Sequence, residues 1–183
     1  LVFYLRAHYG HSFTQDPQAM TIIHTVSALT HAHELAKMSC GIYLSIANEM
    51  CNGSTIFQAI ENGINKAMTY YRSDLEFSKV KNEYNRLDDL LSFAKLPEKQ
   101  ISSSGFVKDT LEASIWCLLT TNSYEEAVLT AVNLGHDTDT TAAVCGGLAG
   151  LAYGTIKPEW INMIRHKRLV TDICDAFEKS LEK

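Results

Sequence analysis

Apolar residues return every three or four positions along almost the whole of this 183-residue sequence, and no stretch alternates convincingly with a period of two. That recurrence selects amphipathic helices over strands. Ala19 to Leu29 places Ile22, Val26 and Leu29 on one predicted face. Leu35, Met38, Ile42, Ile46 and Met50 form a second stripe, closed by the helix-stop pair Asn52-Gly53. Ile56, Ile60, Ile64 and Met68 form a third. Val80 to Phe93, carrying Tyr84, Leu87 and Leu91, reads as a further helix, as does the segment with Leu111, Ile115, Trp116 and Leu119. Ser123-Tyr124-Glu125-Glu126 has the pattern of a capping box and opens a helix to about Leu134. Pro158 suits a first helical turn; Trp160, Ile164, Leu169, Ile173 and Phe177 carry the pattern onward. Trp116 and Trp160 are expected in the core. Ile101 to Phe106, with three serines and Gly105, is the clearest loop. The expectation is one all-α domain over 1–183, a compact helical bundle.

The composition narrows the function. Hydrophobic residues make up 46% and charged residues 20%, as in ordinary globular chains. A net charge of −5 disfavours a nucleic-acid partner, which is bound through a basic surface. No apolar run has the length of a membrane helix, so no membrane partner is expected. Cys40, Cys51, Cys117, Cys145 and Cys174 are scattered through helical patterns without a CxxC pair. They read as buried free thiols, which points to the cytoplasm.

The stretch from Gly135 to Gly154, GHDTDTTAAVCGGLAGLAYG, is the least ordinary. A helix is expected from near Asp139 to Tyr153, between stops at Gly135 and Gly154. Gly146 and Gly150, and Ala143 and Gly147, give it two small faces and an expected place in the middle of the bundle. Capping explains one acid before a helix. Two carboxylates in alternate positions, with hydroxyls between and after, instead match the oxygen ligands of Mg²⁺, Mn²⁺ or Ca²⁺. An EF-hand loop from Asp137 fails, because Ala142 and Leu148 stand where Gly and Glu are needed. The Asp-x-Asp-x-Thr motif of the haloacid-dehalogenase phosphatases matches by letter, yet it ends a buried strand, and here a helix precedes it.

These residues resemble the signature of the ADP-ribosylglycohydrolase family, in which Gly-x-Asp-Thr-Asp-Thr precedes a small-residue helix ending in Tyr-Gly. Ser27 to His33 is similar to the family's Leu-Thr-His segment. Ser104-Gly105-Phe106-Val107, with Thr110 to Ala113 and Trp116, resembles its Gly-aromatic loop and following helix; Asn133-Leu134-Gly135 and Pro158-Glu159-Trp160 fit too. The resemblance implies an all-α bundle with a dinuclear Mg²⁺ or Mn²⁺ site, and hydrolysis that releases ADP-ribose from a modified protein side chain or a small molecule at the anomeric carbon. Carried over by position, it implies Asp137, Asp139 and Thr140 as metal ligands. It implies His31 lining the ADP-ribose cleft, and Gly105 and Phe106 bordering it, with the ring offering a face for stacking. His136 stands where the family often has Gly.

Family members carry further chain before this point, with a Thr/Ser-Asp-Asp motif that completes the metal site and a Gly-rich segment ending in Met-Arg and Pro. Leu1-Val2-Phe3-Tyr4-Leu5 reads as the interior of a protein, so the catalytic residues are expected upstream of Leu1. The expectation is then half a metal site, with the isolated chain inactive and associating with its N-terminal segment or with itself. Asp88-Asp89 reads as a solvated helix face, not a substitute. A non-catalytic ADP-ribose binder or a structural, crystallin-like relative is the alternative; retention of Asp137 and Asp139 argues against it. His31 and His33, two apart, are weak evidence for zinc. His8 and His11 flank a Gly in a predicted loop. Arg165 to Arg168 reads as a solvated turn between the last helices.

Overall fold

The computed structural model describes residues 1–181, and no strand occurs among them. The helices are α1 (Val2–Tyr9), α2 (Pro17–Ala28), α3 (Glu34–Cys51), α4 (Ile56–Ser73), α5 (Leu90–Ala94), α6 (Val107–Thr120), α7 (Tyr124–Asn133), α8 (Thr138–Tyr153), α9 (Pro158–Asn162) and α10 (Lys167–Leu181). The all-α expectation holds.

The axis of the bundle is α3. Its stripe Leu35, Met38, Ile42, Ile46 and Met50 is buried, and so are Ser39, Ser45, Asn48 and Glu49 on other faces. It packs against α2, α4, α6 and α8. The α3–α4 contact is the tightest: a Cβ on Gly63 would stand 2.6 Å from both Cα and N of Ile46. Glycine there lets one backbone rest on the other. Buried Glu49 is neutralised across the same contact by Lys66 at 2.7 Å.

The small-residue helix α8 is therefore not the central one. It buries Thr141, Cys145, Leu148 and Ala149 against α6 and α7, while Ala143 and Gly147 are exposed. Its glycines accept tyrosines instead of a neighbouring backbone. Tyr124 lies over Gly146 and Gly150, and the Tyr43 hydroxyl approaches Gly147.

Further expectations are corrected. The buried face of α2 is Ala19, Met20, Ile23, His24 and Ser27, whereas Val26 and Leu29 are 44% and 78% exposed. His24 belongs inside because Nε2 lies 3.0 Å from the Tyr71 hydroxyl, within a cluster of Tyr70, Tyr71 and Phe77. Residues 80–93 run through turns, a short 3-10 helix at Asn85–Asp88 and then α5, not one helix. Val80, Tyr84 and Leu87 are buried there, but Leu91 is exposed and Leu90 and Phe93 take the core positions. Asp88 pairs with Arg72 at 3.0 Å, and Asp89 caps α5 through the Ser92 amide at 3.0 Å. Lastly, α10 buries none of its residues: Leu169, Ile173 and Cys174 are exposed, and Trp160 is only half-buried, edge-on to Tyr124. Only Cys117 and Cys145 are fully buried; all five thiols are free. His8 lies in the last turn of α1, not in a loop.

Candidate functional site

Two loops that end in helix N-termini meet at the site. The first joins α7 to α8. Gly135 and His136 both adopt left-handed backbone, φ 87° and 57°, before Asp137 enters the N-cap position of α8. Such a φ is easy for glycine and costly for histidine. At this position a capping carboxylate normally accepts a first-turn amide. Asp16 does so for α2, taking Gln18 N at 2.8 Å and Ala19 N at 3.1 Å. Asp137 does not: its side chain accepts no capping bond. Among the described residues, neither Asp137 nor Asp139 joins an ion pair. Asp137 therefore does no capping work for α8, while Asp139 stands in the first turn of that helix, where the dipole favours an acid.

The second loop, 101–106, leads into α6. Ser102 and Ser104 both donate to Asp109 Oδ2, at 2.7 and 2.6 Å, folding the loop back over the first turn of its own helix. Arg86 anchors its start, donating to the Gln100 carbonyl at 3.2 Å and to buried Glu112 at 2.9 Å. Burial pushes the Glu112 carboxyl above its ordinary range, and the Arg86 charge opposes that rise. Between its neighbours, buried Ser103 turns toward the other loop. Its hydroxyl donates to the Gly135 carbonyl at 2.8 Å, and its carbonyl accepts the Asp137 amide at 3.1 Å. Gly105 follows, so close to Asp137 that a Cβ on it would stand 2.5 Å from Oδ2.

The sequence-predicted residues come together around a cavity of about 450 Å³. His31, Gly105, Phe106 and Thr140 all line it, with Thr30, His33 and Val144 among its other walls. The Phe106 ring is 54% exposed. Thr140 is exposed at the wall, while Thr141 turns inward, fully buried, its hydroxyl without a partner among the described residues. Asp137 and Asp139 are not among the walls of the cavity: Asp137 lies against Gly105, and Asp139 is exposed in the first turn of α8. A second, apolar cavity of about 470 Å³ shares Ser27, Thr30, Cys40, Val107, Thr110 and Val144 with the first.

The two histidines divide. His33 is a cap, its Nδ1 accepting the Leu35 amide at 3.1 Å at the start of α3. His31 is exposed, Nδ1 3.0 Å from the Thr30 hydroxyl, and its ring is available to the cavity. No group of three His, Cys, Asp or Glu side chains closes on a common point among the described residues, so no zinc cluster forms from the pair. The donors at Asp137, Asp139 and Thr140 are all oxygen, the chemistry that hard cations take, and neither carboxylate joins an ion pair among the described residues.

Sequence reasoning overlooked Ser103 and Asp109. Asp109 was findable: an acid in the first turn of a predicted helix, following a serine-rich entry, is a local signal. Ser103 was not, since its partners lie 32 and 34 positions away.

The chain is similar to several known proteins. The chain is 46% identical over 67 residues to an ADP-ribosylarginine hydrolase of Pseudomonas putida, a match covering 36% of this chain and 18% of that protein. It is 37% identical over 78 residues to a namesake in Serratia proteamaculans, covering 42% of this chain and 21% of that protein. A longer match, 23% identical over 160 residues, joins it to the ADP-ribosyl-dinitrogen reductase glycohydrolase of Rhodospirillum rubrum, covering 86% of this chain and 46% of that one. The chain thus spans less than half the length of these relatives. Residues 3–183 match the family model for ADP-ribosylglycohydrolase, and the chain belongs to that family.

Proposed function

We propose that the protein hydrolyses the bond between ADP-ribose and an arginine side chain of a modified protein, with Mg²⁺ or Mn²⁺ held in part by Asp137, Asp139 and Thr140. One observation carries this reading. The Asp137 carboxylate, which makes no capping bond to its own helix, stands against Gly105, which lies in the wall of the cavity that His31, Phe106 and Thr140 also line. The arginine acceptor is supported by the two relatives named as ADP-ribosylarginine hydrolases.

A divalent ion bound there supplies Lewis-acid polarisation and acidifies a bound water. The remaining work falls to the chain. Phe106, half-exposed at the rim, offers a ring face on which an adenine stacks. Gly105 keeps the wall thin between that ring and the Asp137 carboxylate. His31 lines the same cavity and offers a ring nitrogen to it. Two carboxylates and one hydroxyl fill only part of one six-coordinate shell. Two adjacent divalent charges repel strongly unless further carboxylates lie between them. A dinuclear site therefore needs donors beyond those the described residues bring together. Five free thiols support a reducing compartment, the cytoplasm.

The test is release of ADP-ribose from ADP-ribosylated arginine by the intact protein, with and without chelation. Asp137→Asn and Asp139→Asn are each expected to abolish metal-dependent turnover while the helical circular dichroism stays unchanged. Turnover indifferent to chelation and to both substitutions would overturn the metal assignment. Tight ADP-ribose binding with no hydrolysis under any metal would establish the non-catalytic alternative.

A further inference from the structure

Among the described residues, Ser103 alone bonds to both ends of the left-handed turn before α8. Its hydroxyl holds the Gly135 carbonyl at 2.8 Å and its carbonyl holds the Asp137 amide at 3.1 Å. Between those two anchors lie Gly135 at φ 87° and His136 at φ 57°. A histidine there costs of order 1 kcal/mol or more, so the turn persists only where its surroundings fix it. Ser103 is 1% exposed, and water does not compete for either bond. Ser102 and Ser104, on either side of it, each donate to Asp109 Oδ2, so either tie can hold the loop when the other is lost. Two residues later the same loop delivers Gly105 against Asp137 Oδ2 and Phe106 to the cavity.

We infer that Ser103 is a positioning residue for the cation site: it aims the Asp137 carboxylate by bracing the turn that carries it to the loop that carries Phe106. The inference rests on the proposed role of Asp137 as a metal ligand. It adds that the aim of this carboxylate is set in part from a loop more than thirty residues away, and not by a side-chain bond to α8. The side chain of Asp137 makes no capping bond to α8 that could orient it. Its backbone is held on one side by Ser103 and on the other by the first helical bond, Thr141 N to Asp137 O at 3.2 Å. Removing the Ser103 hydroxyl frees the Gly135 carbonyl and relaxes the first of these supports.

The test compares Ser103→Ala with Ser104→Ala in the intact protein. Ser104 lies in the same loop but bonds to Asp109, not to the turn. Two quantities are read: Mn²⁺ affinity by electron paramagnetic resonance titration without substrate, and hydrogen exchange at the Asp137 amide in metal-free protein. Ser103→Ala is expected to speed exchange at that amide about fivefold or more and to weaken Mn²⁺ binding by a similar factor, the scale of one lost hydrogen bond. Ser104→Ala is expected to leave both near wild type. Equal effects of the two variants, or an unchanged Asp137 exchange rate in Ser103→Ala, overturn the inference. A lowered melting temperature with Mn²⁺ affinity intact also overturns it, since the serine is then merely structural. Failure of the metal reading is separately visible: wild-type protein binds no Mn²⁺, and Ser103 is then no positioning residue for a cation whatever the exchange rates.

Discussion

Gly105→Ala separates a carboxylate that works from one that merely fills space. A methyl at this position would stand 2.5 Å from Asp137 Oδ2. Favourable separations of non-bonded atoms begin near about 3.5 Å, so the oxygen must retreat by roughly 1 Å. The retreat is cheap. The Asp137 side chain makes no capping bond and no ion pair that moving it would break. Gly105 is exposed and lies outside the left-handed region, so alanine brings no backbone strain. Reduced freedom of the unfolded chain even offers about 0.4–1 kcal/mol in its favour. Stability should therefore stay within about 1 kcal/mol of wild type. A metal ligand tolerates no such move, because productive ligand distances hold to about 0.2 Å. Misplacement by about 1 Å is expected to cost ten- to a hundredfold in Mn²⁺ affinity and in turnover. Paired thermal melts and Mn²⁺ titrations of the two proteins read both quantities. Wild-type affinity in Gly105→Ala refutes a ligand role for Asp137, and a loss of several kcal/mol shows instead that the carboxylate is part of the packing.

Three further outcomes are expected. Phe106→Ala should raise the dissociation constant for ADP-ribose about five- to tenfold, the low end of base–aromatic stacking at roughly 1–3 kcal/mol; the ring is 54% exposed, so the melting temperature should not move. Gly63→Ala should destabilise by about 2 kcal/mol, because its methyl meets the Ile46 backbone at 2.6 Å and neither helix yields without parting; an unchanged urea midpoint would show that the α3–α4 contact is looser than this. His24 is held below its ordinary pKa of 6.5, first by burial and then by the Lys37 charge, against the pull of Glu76 and Asp74. The folded state therefore prefers the neutral ring. Its contribution is complete above about pH 6.5 and is lost as pH falls through the depressed folded value. His24→Gln should remove that part of the pH dependence of the melting temperature, and an identical profile would assign the slope to other groups.

Local signals carried the fold wherever one element supplied them all. For α3, the apolar stripe and the Asn52-Gly53 stop were contiguous, and its end came out as expected, with Gly53 at φ 81°. The Ser123 hydroxyl accepts the Glu126 amide at 3.1 Å as the capping pattern predicts; Glu126 reaches back one residue further than expected, to the Asn122 amide. Periodicity misled where a buried position was polar or a turn imitated a helix. The stripe through Val26 and Leu29 is more apolar than the true face of α2, which includes His24 and Ser27. What reverses the choice is Tyr71, 47 residues away, which gives His24 a partner inside. Over 80–89, buried Val80, Tyr84 and Leu87 recur at helical spacing while the backbone runs through turns and a short 3-10 helix.

The same distinction runs through the candidate site. Asp137, Asp139 and Thr140 are legible because oxygen donors in alternate positions before a helix form a local pattern. Their aim is not legible, because it is set in part from the 101–106 loop. That loop reads in sequence as three interchangeable serines and a glycine. In the fold the serines are not interchangeable: two point back to Asp109 and one crosses to Gly135. The burial follows the same division: Ser103 is buried between the two loops, while Ser102 is exposed and Ser104 half-buried. A serine run of this kind can therefore bind its own helix and a neighbouring loop at once. Spacing the hydroxyls differently would lose one attachment or the other, and the loop bearing Phe106 would no longer be tied to the turn bearing Asp137.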